Sequence, residues 1–252
     1  MEYHDLTVSR DGPLALALLS RPRSLNALSV RLRDELEAFL ATAGADPSVE
    51  VIVISGGDRH FCAGFDLKEA VQTKFGSFRH RILEFHEAIY CCPKLVITAV
   101  SGIAFAGGFD LALAGDIILA APGASFGHVE VNFGINPLVF PLARRVGTAR
   151  AVELCATGRV VQAAEARELG IVSEIIDSAD FIAAVSERAH AVARIGGGGR
   201  TLSAVKESAA ALSPVTVSEA LKREFAITED LIRDPALLKR LTEYLASIGI
   251  TV

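Results

Sequence analysis

An α/β domain followed by a helical tail is the fold class this sequence predicts. Short aliphatic runs alternate with amphipathic stretches up to about residue 195, and beyond that point only helical patterns follow. With 252 residues, 51% of them hydrophobic, the chain carries enough core for one large domain or for a main domain with a helical appendage. We place the α/β domain at 1–195 and the helical region at 196–252.

Taken in order, LALALLSRP (14–22), VEVIVISG (49–56), KLVITAVSG (94–102), GDIILAA (115–121) and GIVSEII (170–176) read as buried strands. Each is aliphatic or β-branched and bounded by Gly, Pro or polar residues. Between the first two, SVRLRDELEAFLATAG sets Leu32, Leu36, Phe39 and Leu40 on one helical face, with Ser29 as N-cap and Gly44 as the stop. A helix before KLVITAVSG carries His86 and Tyr90, which either pack or line a pocket. AAEARELG (163–170) is a helix closed by Gly170. The four glycines at 196–199 follow no strand and lead to no Lys-Ser/Thr, so they read as a hinge rather than a phosphate loop. In the tail, Asp234-Pro235 is an N-cap with a first-turn proline.

Charge and composition exclude several classes of function. The net charge is −5 and no run of Lys or Arg exceeds two, so nothing resembles the basic footprint of a nucleic-acid binder. The polar N-terminus, MEYHDLTVSRDGP, lacks a signal layout, and no apolar run approaches the roughly 20 residues of a membrane span. A cytoplasmic protein without membrane contact is expected. Cys62, Cys91, Cys92 and Cys155 show no CxxC spacing and read as buried reduced thiols. The six histidines form no HxxxH or HExxH unit, so no metal is expected.

The informative stretch is AFAGGFDLALAGD (104–116), with Gly107 and Gly108 side by side before Asp110. It matches neither GxxxxGK[ST] nor GxGxxG, which disfavours a phosphate cradle. A strand, a short loop and a helix opening near Gly107 would instead converge free N–H groups and a positive dipole end on a developing anion. A second loop of small residues, Cys62-Ala63-Gly64-Phe65, follows the strand VEVIVISG and could supply another such N–H. Glu130, set among apolar positions in FGHVEVNFG, is awkward as plain core and reads as a site residue. Asp110 alone could be a dipole partner of its helix. His128, two residues before Glu130, could share a face with it and tune the acid. Asp66 and Lys68 could be solvated loop charges, and Asp116 a cap.

These motifs resemble the crotonase, or enoyl-CoA hydratase/isomerase, superfamily. The likeness runs through SRPRSLNAL, VEVIVISGGDRHFCAGFDLKEA, PKLVITAVSGIAFAGGFDLALAGDIILAAPGASFGHVEVNFGI and RRVGTARAVELCATGRVVQAAEARELGIVSEII, over about residues 1–180. It implies a ββα spiral core with a C-terminal helical trimerisation region. It further implies that the N–H groups of Phe65 and Gly107 hold a thioester oxyanion, with acids at Asp110 and Glu130 on either side of the reacting carbons. Ala63, Gly64, Phe65, Asp66 and Leu67 would receive coenzyme A. The substrate would be an acyl-CoA thioester, no cofactor would be needed beyond its coenzyme A moiety, and the chain would form homotrimers or homohexamers.

The sequence also departs from the pattern. Hydratases of this family carry Glu at both acid positions and a Gly-rich run after the second, whereas here the first acid is Asp110 and the run is GINPLVFPLARRVG. The third acid of dienoyl-CoA isomerases falls on Leu138, and the aspartate nucleophile of the dehalogenases has no equivalent in NPLVFP. The tail ends RLTEYLASIGITV, without the family's usual basic and aromatic close. Hydration of a trans-2-enoyl-CoA is the leading expectation, with Glu130 moving the proton at carbon and Asp110 orienting water. Double-bond isomerisation is the alternative, and non-catalytic acyl-CoA binding is a third reading.

Overall fold

The structure, a computed structural model, describes residues 2–73, 81–195, 199–212 and 215–250. In chain order it contains β1 (Leu6–Asp11), β2 (Leu14–Leu19), α1 (Val30–Ala45), β3 (Val51–Ser55), α2 (Leu67–Gln72), α3 (Ile82–Tyr90), β4 (Leu95–Val100) and β5 (Ile103–Phe105). Then follow α4 (Gly107–Leu113), β6 (Ile117–Ala120), β7 (Ser125–Gly127), a 3₁₀ turn (Val129–Phe133), α5 (Val139–Val146), α6 (Thr148–Thr157), β8 (Val161–Gln162), α7 (Ala163–Glu168) and β9 (Glu174–Ile175). The chain closes with α8 (Phe181–Ala193), α9 (Gly199–Ala211), α10 (Val217–Ile232) and α11 (Pro235–Ser247).

Six strands form one sheet in the order β1-β2-β3-β4-β6-β9, antiparallel between β1 and β2 and parallel elsewhere. β5, β7 and β8 form a second, smaller sheet. The five expected strands are present as β2, β3, β4, β6 and β9, although β9 is cut to two half-buried residues, Glu174 and Ile175. β3 and β4 are buried along their whole length, as continuous aliphatic runs in a parallel sheet should be. β1 escapes the sequence pattern because only Leu6 of LTVSRD is buried, leaving no apolar alternation to read.

Ser29 caps α1 as expected, its side chain accepting from Leu32 N. Gly44 does not stop that helix, which runs one residue further to Ala45 and ends at Asp46. The glycine is there for contact: a Cβ on it would lie 3.3 Å from the Pro93 ring. Asp234 caps α11 by accepting from Ala236 N. Asp116 orients the start of β4, accepting from Val96 N at 2.8 Å and pairing with Lys206. Cys62, Cys92 and Cys155 are buried and Cys91 is exposed, because it lies at the C-cap of α3; all four are free.

The expected boundary at 196 and the glycine hinge fall largely on residues 196–198, outside the described residues. Beyond them, α10 packs on α3 and α5, and α11 packs on α2 and the 3₁₀ turn. Leu237, Leu241 and Leu245 bury against Ala70, Ile82, Phe133 and Ile135, so the tail closes over one side of the core. Among the described residues no helix is long and apolar enough to cross a membrane.

Candidate active site

β3 and β4 are parallel neighbours, with Ser55 opposite Ala99, so the loops that follow them leave the sheet side by side. Backbone bonds then stitch the loops together: Cys62 N donates to Ile103 O at 3.0 Å, and Phe105 N donates to Cys62 O at 3.0 Å. On its other side the upstream loop pairs with Leu28, whose N donates to Gly64 O and whose O accepts from Asp66 N. In a parallel bridge of this kind the central residue's own N–H points away from the partner strand. Phe65 N–H is thereby aimed away from Leu28.

The glycines make this approach possible. A Cβ on Gly64, which has φ +104°, would lie 3.0 Å from both Ala106 Cβ and Phe105 O and 3.4 Å from Gly107 N. A Cβ on Gly107 would enter the Phe65 ring at 2.5 Å, and one on Gly108 would strike the backbone carbonyl of Cys62. Gly108 therefore lets two backbones touch, while Gly107 opens α4, and its N–H belongs to the first-turn amides that a helix leaves without internal acceptors. Arg33, buried on α1, lies over the Phe65 ring with its guanidinium carbon 5.5 Å from the ring centre.

Asp110 is the fourth residue of α4 and only 4% exposed, so it is no surface partner of the helix dipole. Tyr90 Oη donates to its backbone carbonyl at 3.1 Å, so Tyr90 serves packing of α3 on α4. Glu130 lies in the 3₁₀ turn and is 6% exposed. Between them stands His128, also buried, with Nδ1 3.2 Å from Glu130 Oε1 and Nε2 3.9 Å from Asp110 Oδ1. The stretch is not extended; the 3₁₀ turn that starts after His128 brings the two side chains together instead. Donor atoms of Asp110, His128 and Glu130 lie within 4.8 Å of one another. That set could also attract a cation. Yet the acids face opposite ring nitrogens, a carboxylate–imidazole–carboxylate chain rather than three donors converging on one point.

Electrostatics follow from burial. Burial pushes the Asp110 carboxyl well above the usual range, with His128 pulling it down and Glu130 pushing it further up. Burial alone would lower the His128 imidazole, but the charge and hydrogen bond of Glu130, with the charge of Asp110, outweigh it and raise it. Both directions describe a buried site that favours zero net charge.

Asp110 and Glu130 line a cavity of about 1250 Å³ together with Phe65, Gly107 and Leu138, and His128 lies behind them. Of the loop expected to receive coenzyme A, Ala63, Phe65, Asp66 and Leu67 line it and Gly64 does not. Asp66 is not a freely solvated charge: it caps α2 by accepting from Glu69 N at 3.2 Å and pairs with Arg21 at 2.9 Å. Lys68 lines the same cavity. His86 lines it too, buried against the rings of Phe85 and Phe225, and its Nδ1 is 2.8 Å from the Ile82 carbonyl. Burial lowers its pKa to about 4, so it is a neutral wall residue.

One participant escapes sequence reasoning altogether. Glu224 on α10 reaches across to accept from Val139 N at 2.9 Å and Phe140 N at 3.0 Å, capping α5 beside Leu138. Nothing local announces it, because the two halves of the contact are more than 80 residues apart.

The family model for enoyl-CoA hydratase/isomerase matches residues 10–245. The chain belongs to the enoyl-CoA hydratase/isomerase family. A protein of Rhizobium meliloti named probable enoyl-CoA hydratase is 39% identical over 180 residues, 70% of each chain. The mitochondrial enoyl-CoA hydratase of Pongo abelii is 34% identical over 220 residues, 85% of this chain and 75% of its own. Among solved structures, an enoyl-CoA hydratase of Bacillus anthracis aligns with TM-score 0.79 at 30% identity over 97% of both chains. The family membership, and with it the crotonase-like core carrying a helical C-terminal region, is as the motifs imply.

Proposed function

We propose that the protein hydrates a trans-2-enoyl-CoA to the 3-hydroxyacyl-CoA. The observation that carries this reading is the burial of two carboxylic acids, Asp110 and Glu130, within 4.8 Å of each other at the cavity that Phe65 and Gly107 also line. The thioester carbonyl would sit between the N–H groups of Phe65 and Gly107, which stabilise the enolate oxyanion; one such donor is typically worth about 10² to 10³ in rate. Glu130 exchanges the proton at the α-carbon and Asp110 orients the water that attacks the β-carbon. Ala63, Phe65, Asp66 and Leu67, which line the cavity, receive coenzyme A, and no further cofactor takes part.

The named relatives support hydration. A specific difference supports a second reading, double-bond isomerisation: the first acid is the shorter aspartate, which reaches less far toward a water at the β-carbon. A third reading, acyl-CoA binding without turnover, is separated by the same experiment. Wild type and Glu130→Gln are incubated with enoyl-CoA and dienoyl-CoA substrates in heavy water and followed by mass spectrometry. Hydration adds one water and isomerisation leaves the substrate formula unchanged apart from exchanged deuterium. Glu130→Gln is expected to lower kcat by roughly 10² to 10⁴. Equal turnover by both proteins would overturn the catalytic reading.

For assembly we propose a homotrimer or a pair of trimers. Support comes from an apolar groove lined by Val131, Ile135, Val139, Val152 and Leu231, with the exposed Ile227 one turn before Leu231 on α10.

A further inference from the structure

His128 is not one of the residues to which the proposed reaction assigns a proton, yet it is the most enclosed side chain of the site, with 0% exposure. Its ring lies 4.8 Å from that of Phe109, and each nitrogen faces a different acid. Placing a polar ring in such a position is costly unless it is paired. Asp110 Oδ1, His128 Nε2 and Glu130 Oε2 are each buried without a hydrogen-bond partner among the described residues, so the chain of three is closed tightly only at Glu130.

We propose that His128 is a positioning residue for both acids: a buried imidazolium that supplies the countercharge for whichever of Asp110 and Glu130 is ionised. Hydration takes one proton from the attacking water and gives one to the α-carbon. With the water's proton going to the acid that orients it, the two acids exchange protonation states during the reaction and exchange back before the next turnover. One negative charge is thus transferred from one carboxyl group to the other. With no cation present, each state places an uncompensated carboxylate in a buried site, and two acids this close resist joint ionisation. A cation between them compensates either state, keeps the trio neutral throughout, and moves no proton itself. The 3.9 Å gap to Asp110 has to close for that state to be fully stabilised.

Among the described residues, the other groups acting on the trio do not supply that charge. Glu224 on α10 is acidic and acts on both His128 and Asp110. Cys155 on α6 is pushed up to about 12 by burial, and Tyr90 on α3 is raised well above its ordinary value by burial, so both are neutral. Among the described residues acting on Asp110, His128 is the basic one.

This inference rests on the proposed hydration, and its test separates the two. Ring carbon and nitrogen chemical shifts of His128, assigned by comparison with His128→Gln, report its charge without any substrate. The wild type is expected to show an imidazolium at pH 7, and the double variant Asp110→Asn/Glu130→Gln a neutral ring. A neutral wild-type ring at pH 7, or a ring still charged in the double variant, overturns the proposal even if the enzyme hydrates enoyl-CoA. In kinetics, His128→Gln can still donate to Glu130 but carries no charge. It is expected to lower kcat at least tenfold with KM changed less than about threefold, and to move the acid limb of the kcat/KM profile up by about one pH unit. An unchanged profile with wild-type kcat also overturns it. A wild type with an imidazolium but no turnover sinks the hydratase reading and leaves the countercharge standing as a property of the acid pair.

Discussion

Ala106 holds φ 50° and ψ −129°, a region that glycine enters freely and alanine does not. It is the N-cap of α4, so the strain sits one residue before Gly107, where the loops of β3 and β4 meet. Residues forced into such regions cost on the order of 1–3 kcal/mol each. Ala106→Gly is therefore expected to raise stability by about 1 kcal/mol after the added flexibility of the unfolded chain is deducted. Thermal or denaturant unfolding of the two proteins checks it, and a lower midpoint for the variant contradicts the strain. The sequence conceals this strain, because alanine before a helix looks ordinary. The neighbouring glycines are legible as a pair, and which one serves approach and which opens the helix becomes clear only when Phe65 and Cys62 are seen against them.

Elements reveal a similar division. Strands that are aliphatic throughout and helices with a capping residue are legible because burial and unsatisfied amides act locally. The three-residue strands β5 and β7 are not, since they exist by pairing with each other across the chain. β1 is held from outside its own pattern. Glu35 on α1 accepts from His4 N, Asp5 N and Leu6 N, and Asp5 binds Arg31 through two hydrogen bonds. Burial alone would raise the Asp5 carboxyl, but hydrogen bonding and charge from Arg31 outweigh it and hold the pKa below its usual value. A depressed carboxylate contributes stability that is complete above its unfolded pKa, about 4, and is lost as pH falls through the folded value. Asp5→Asn is thus expected to melt below wild type at pH 7 and to converge with it in acid. A melting difference that stays constant from pH 7 to pH 2.5 would contradict the ion-pair account.

At the scale of the whole molecule, the chain separates what the sheet does from what the tail does. The sheet places the two loops and α4; the tail supplies Leu237, Leu241 and Leu245, which close over Phe133 and Ile135, while Phe225, Tyr244 and Ile248 help wall the cavity. Exposed Val152, Ile227 and Leu231 lie outside that closure. If they meet another copy, light scattering or native mass spectrometry reads three or six chains, and a concentration-independent monomer rules the assembly out. The sequence shows that the tail is helical but not where it folds back, because that depends on contacts such as Glu224 with α5. This last contact links tail and chemistry in a thermodynamic sense. Glu224, docked, raises the affinity of Asp110 for its proton. By reciprocity, loss of that proton weakens the docking of α10 by the same free energy. Protonation of Asp110 and docking of α10 are therefore linked through Glu224, each biasing the other.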